Sequence, residues 1–101
     1  MSDFDILERI VRDLDSSVNL YFNPPTSTLI RYPAVRCVLK SIDNVHANDD
    51  VYGQKTAYQL TFICKELGDM FVKKLSLLKY CSFDRHYVAD NLNHYVFTLY
   101  I

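Results

Sequence analysis

The sequence predicts an α+β domain: a mostly antiparallel sheet of four to five strands with two helices packed on one face. Three observations carry that expectation. Apolar residues recur at helical spacing in two separate windows, they alternate with period two in several others, and 101 residues, half of them hydrophobic, suffice for one core but not for two. With only two glycines and three prolines, regular elements joined by short polar turns are expected rather than long irregular loops. One domain therefore spans residues 1–101.

The first helix is expected over residues 2–16, where Phe4, Leu7, Ile10, Val11 and Leu14 form one stripe. Ser2 offers an N-cap and Asp3 and Asp5 complement the positive end of the helix dipole, while Ile6 lies off the stripe. Residues 18–22 read as a short strand that stops at Asn23-Pro24-Pro25, because two prolines remove successive ladder donors. Residues 26–33 read as an ordered loop or an edge. Over 34–42, Val35, Cys37 and Leu39 alternate with Arg36, Val38 and Lys40, and over 55–66 Tyr58, Leu60, Phe62 and Cys64 share a face opposite Gln59, Thr61, Ile63 and Lys65. These two runs make an antiparallel pair joined by a long loop, 43–53, the most polar stretch of the chain.

Gly68 and Asp69 open a second helix through about Tyr80, with Phe71, Val72, Leu75 and Leu78 as its stripe and Leu77 widening it. A strand follows over 81–88, with Cys81, Phe83, Arg85 and Tyr87 on one side and Ser82, Asp84 and His86 on the other. Residues 89–93 supply turn chemistry, and the last strand, 94–101, places Tyr95, Phe97, Leu99 and Ile101 on one face. The expected core is Tyr58, Leu60, Phe62, Phe83, Phe97 and Leu99, packed by Leu7, Ile10, Leu14, Phe71 and Leu75.

Composition narrows the function. Eleven basic and twelve acidic residues, net charge -1, contain no basic block of the kind that grips nucleic acid. The longest apolar run, 96–101, is far below the roughly 20 residues that cross a bilayer, so no membrane role and no exported leader are expected. Cys37, Cys64 and Cys81 lack C-x-x-C spacing and read as buried free thiols of a reducing compartment. No phosphate loop, G-x-S-x-G or H-E-x-x-H occurs, which disfavours an enzyme.

Three polar clusters could carry chemistry. His86 and His94 could approach across the last turn, with Asp84, Asp90, Asn91 and Asn93 nearby, and imidazole with carboxylate suits zinc, but no compact ligand spacing anchors such a site. Cys81, Asp84 and His86 suggest an activated thiol, yet period two sends Cys81 and Asp84 to opposite faces. His46, Asp49 and Asp50 lie in the polar stretch, where such residues serve solubility as readily as cation binding. No cofactor, metal ligand or catalytic residue is assigned. The eight tyrosines lack basic interleaving and suit a core or interface better than base stacking.

The segments 43–55 and 84–94 are too polar for the core, yet they hold Val51, Tyr52, Tyr87 and Leu92, residue types that anchor interfaces within a polar rim. Arg85 suits a bidentate pair with Asp49 or Asp50 of a neighbouring subunit, or a pair with Asp84 or Asp90 of its own.

An ordered set of short motifs carries a resemblance. Arg31-Tyr32-Pro33, the stretch His46-Ala47-Asn48-Asp49-Asp50, the strand from Tyr58 to Phe62, Phe83-Asp84-Arg85-His86-Tyr87, and Asp90-Asn91-Leu92-Asn93-His94-Tyr95-Val96-Phe97 resemble the small tail terminator, or tail completion, proteins of long-tailed bacteriophages. The likeness covers most of the chain after Leu29. It departs at Ala47-Asn48-Asp49, where the family leads one to expect Ala-Asp-Asn. The resemblance implies a virion protein made in the host cytoplasm. It would form a homo-oligomeric ring of six subunits that caps the tail tube, joins it to the head connector or stopper protein, and lets DNA pass through its lumen. Two alternatives stay open: another connector component, such as a head-completion or stopper protein, or a small metal-binding or hydrolase-like domain using His86, His94 and the 43–50 stretch.

Overall fold

A computed structural model describes residues 3–25, 29–47, 50–66 and 69–101. The order is α1 (Asp3–Leu14), β1 (Asn19–Phe22), β2 (Ala34–Ala47), β3 (Asp50–Cys64), α2 (Asp69–Ser76), β4 (Cys81–Ala89) and β5 (Leu92–Tyr100). The strands form one five-stranded sheet in the order β1-β2-β3-β5-β4. Every neighbouring pair is antiparallel except β1 with β2. The fold is α+β with a mostly antiparallel sheet, as the periodicities predict.

One cluster joins both helices to one face of the sheet: Leu7 and Val11 from α1, Phe71 and Leu75 from α2, and Val35, Cys37, Tyr58, Leu60, Phe62, Tyr95, Phe97 and Leu99 from the strands. The period-two alternation that marks these strands in the sequence is what gathers their apolar side chains here. Phe62 and Phe71 meet with centroids 4.3 Å apart, locking α2 onto β3, while Phe22 bridges α1 and β3 through Phe4 at 5.7 Å and Tyr58 at 5.5 Å. The Tyr58 hydroxyl donates to the Asp3 carboxylate, so the first turn of α1 is tied to the middle of the sheet. Ile10 and Leu14 are half-buried at the margin of this core.

Four expectations are corrected. The 43–53 stretch is not a long loop: β2 runs on to Ala47 and β3 begins at Asp50, paired residue by residue down to Ala47↔Asp50. The sheet body ends at Thr56, whose N–H and C=O exchange hydrogen bonds with Ile101 and which pairs with Ile42, so residues 43–47 and 50–55 project beyond it as a two-stranded arm. At about 3.4 Å per residue the stretch 43–47 reaches roughly 17 Å. The molecule accordingly measures 51 × 31 × 25 Å, with a radius of gyration of 14.7 Å against about 13 Å for a compact chain of this length.

Second, α2 stops at Ser76 rather than near Tyr80, and Leu77, expected to widen its stripe, is 84% exposed. A turn built on hydrogen bonds from Leu77 N to Lys74 O and Leu78 N to Leu75 O ends the helix early and swings Leu78, not Leu77, onto the core. Third, Phe83, expected in the core, is 46% exposed because β4 is an edge strand whose outer flank nothing described covers; its ring touches Phe97 edge-on at 5.3 Å. Fourth, the β4 alternation breaks. Phe83 faces Phe97, but a bulge lets Arg85 face Val96, so that beyond it His86 shares the helix side and Tyr87 the opposite side. Ser2 and Gly68, the expected cap and helix opener, lie outside the described residues.

Candidate assembly interface

The sheet face away from the helices carries no second layer among the described residues, yet Ala57, Thr61, Val96 and Thr98 on it are buried. Long side chains account for this. Lys40, the extra residue of the bulge between Leu39 and Ser41, reaches from β2 across β3 and donates from Nζ to Thr98 Oγ1 at 3.3 Å. Thr98 in turn donates to Asp84 Oδ2 at 2.7 Å, so three strands are cross-linked by one polar chain. Beside it lies a shallow groove among Arg36, Gln59, Thr61, Tyr87 and His94.

The predicted interface residues fall into two groups at opposite ends of the sheet. Asp50, Val51 and Tyr52 belong to the arm, where Asp50 pairs with Ala47 and Val51 with His46. Their side chains, and Asp49 entirely, lie outside the described residues. Arg85, Tyr87 and Leu92 belong to the β4–β5 hairpin, whose tip points away from the arm because β5 runs from Leu92 at the far end to Tyr100 at the base of the arm. Arg85 shares a row with Val96 and Thr61, and from Thr61 back to Asp50 is about 37 Å along β3. An Arg85–Asp50 pair can form only between copies.

Whereas Glu8 and Arg12 pair on α1, Arg85 makes no ion pair with Asp84 or Asp90, the partners open to it within one subunit. Its guanidinium instead lies 5.8 Å from the centre of the Tyr87 ring, and Tyr87 stacks on His94 at 4.7 Å. These three side chains form one exposed platform of cation and π faces on the open side of the sheet. Leu92 is half-buried behind the turn, where Asp90 (φ 52°) and Asn91 (φ 62°) both take the left-handed conformation of a tight two-residue hairpin.

The same register separates the two histidines. His86 stacks on Tyr95 at 4.5 Å on the helix side, with Nε2 3.1 Å from Asn93 Oδ1, whereas His94 lies on the open side with Nδ1 3.1 Å from the Leu92 carbonyl. One metal ion cannot take both rings. Burial pushes the Cys37 thiol up to about 12 and Cys81, with the nearby Asp84 charge adding to burial, up to about 11, so neither is a ready thiolate near neutral pH. The three cysteines are free thiols.

Sequence reasoning missed the Lys40–Thr98–Asp84 chain and the arm as a structured element. Lys40 carried no signal, because a bulge is not visible in alternation alone. The arm did: Val45, Val51 and Tyr52 flank its tip, but polar neighbours masked them. Compared with known proteins, the chain matches no protein-family model, and no curated protein is similar to it at a significant level.

Proposed function

We propose that this chain is a ring-forming tail terminator (tail completion) subunit of a long-tailed bacteriophage, which caps the tail tube and joins it to the head connector. The observation that supports this best is the placement of the two polar, interface-type segments at opposite ends of one elongated sheet. A subunit that joins two structures needs contact surfaces on two sides held at a fixed separation, and a sheet stiffened by two helices on one face supplies that. The ordered motifs after Leu29 point the same way. So does the charge: with a net charge of -1, a ring lumen need not grip passing DNA, since each fixed phosphate contact adds to the barrier to sliding.

The virion, rather than a soluble cytoplasmic complex, is then the place of action, and the partners are further copies of the chain, the tail tube protein and the connector or stopper protein. The test is native mass spectrometry with negative-stain electron microscopy of the purified protein, alone and added to heads and tails made without it. Closed rings that bind tail ends and restore joining are expected. A monomer at all concentrations, with no effect on joining, would overturn the reading. Rings that bind heads but not tails would move the protein to the head-completion side of the junction.

A further inference from the structure

We propose that the arm of one copy adds edge-on to β4 of the next, continuing the sheet from subunit to subunit. The inference rests on the ring reading only for closure, because strand addition of this kind gives a head-to-tail contact that can form a ring or an open chain.

β4 is an exposed edge, broken by a bulge at its middle but open beyond it. Residues Ser82 to Val88 are all exposed, and Phe83, Tyr87 and Val88 present 46%, 40% and 64% of their surface to solvent. It holds no proline and no lysine, two of the devices by which edges resist pairing. The bulge after Phe83 leaves a regular run, 85–89, whose outer backbone groups pair with no strand among the described residues.

The arm has the complementary deficit. It is two strands wide, and beyond Thr56 neither β1 nor β5 flanks it. An isolated two-stranded ribbon is marginal in water, and a third strand is the usual remedy. Within one copy β4 cannot supply it, because Cys81 begins β4 beside Leu99, level with Tyr58, and the strand runs away from the arm.

Charge favours the pairing of unlike edges. Residues 41–56 carry Asp43, Asp49 and Asp50 against Lys55, whereas 79–88 carry Lys79 and Arg85 against Asp84. Two β4 edges placed together would bring Arg85 near its own copy. Arm against β4 brings it to the acidic ribbon, where a bidentate carboxylate pair can form.

Cross-linking tests this on the full chain. In a Cys81→Ser background, with Cys37 and Cys64 buried, Asn44→Cys protein and Val88→Cys protein are mixed in equal amounts and treated with a short bismaleimide. Unlike dimers are expected to exceed either like dimer several-fold. A second variant, in which Asn-Gly replaces 44–54 and so joins the paired residues Asp43 and Lys55, is expected to stay folded by circular dichroism and to lose assembly in native mass spectra.

Mainly Val88–Val88 products, or no product above a denatured control, would overturn the proposal. So would an arm-shortened variant that assembles as the full chain does. Unlike cross-links in open chains would uphold the pairing and remove the terminator ring. Closed rings from the arm-shortened variant would do the reverse.

Discussion

The two hairpins of this molecule are built from similar residues and end up in opposite physical situations. In the β4–β5 hairpin, β5 is flanked by β3 and roofed by the helices, and Tyr95, Val96, Phe97, Thr98 and Leu99 are all buried. In the β2–β3 hairpin the same kind of ladder leaves the roof behind at Thr56 and continues as a bare ribbon. A strand's hydrogen bonds do not by themselves set its stability. What lies against its faces and flanks does, since the net gain per hydrogen bond is small and apolar burial contributes more.

The sharpest way to break this comparison is to remove apolar bulk from the two strands of one hairpin. Phe97 is fully buried in β5 and Phe83, its partner across the ladder, is half open in β4. Phe97→Ala should cost about 3 to 5 kcal/mol in urea unfolding, a large share of a small domain's stability, while Phe83→Ala should cost about 1 kcal/mol. Equal losses would mean that β4 is covered in solution by something other than water.

A smaller effect concerns the tie between α1 and the sheet. Burial first, and then the bond and charge of Asp3, raise Tyr58 to about 12. Because the unfolded chain's tyrosines titrate near 10, the folded state holds this proton more tightly. Its stabilising contribution is complete below about pH 10 and is lost as pH rises through about 12. Tyrosinate absorbance should show Tyr58 titrating late, and Tyr58→Phe should remove that contribution at a cost of about 1 kcal/mol near neutral pH.

On the open face, Asp84→Ala leaves the Thr98 hydroxyl without its acceptor and is expected to cost about 1 kcal/mol. Lys40→Met, which keeps the stem lying over β3 but removes the ammonium, should cost less, about 0.5 kcal/mol. A double-mutant cycle with a coupling near zero would show that the three groups act independently.

How far the sequence discloses this fold follows from the same contrast. Where one face of a strand packs under the helices, as that of β3 does at Tyr58, Leu60, Phe62 and Cys64, apolar residues recur at every second position and the strand is legible; α1 is legible for the same reason at helical spacing. The arm's backbone runs on past the flanking strands, so the sheet body imposes no alternation on it, and its Asp, Asn and His residues look like a loop. Phe83 and Leu77 misled differently: their alternation or spacing was right, but edge position and an early helix end are set by neighbours distant in sequence. The residues proposed for an interface stand out by type alone, while their separation to opposite ends of the sheet needs the register.

The smallest expected effect on stability comes from the largest deletion. Replacing 44–54 by Asn-Gly removes most of the arm, yet every member of the cluster that joins the helices to the sheet, among the described residues, lies outside that stretch. The ribbon's own balance, ladder bonds against about 1 to 2 kcal/mol of ordering entropy per residue, is close to zero without a covered face. The monomer's unfolding free energy should therefore change by less than about 0.5 kcal/mol. Amide exchange gives the same contrast without mutation: amides of 43–47 should exchange at nearly the rate of free chain, and those of 94–99 only on global unfolding. If the arm is protected at dilutions where the protein is monomeric, or if its loss destabilises the body by several kcal/mol, then the arm packs on its own subunit. It would not then be available to a neighbour. If instead its protection rises with protein concentration while that of β5 stays constant, the arm is being ordered by another copy, as strand addition to β4 requires.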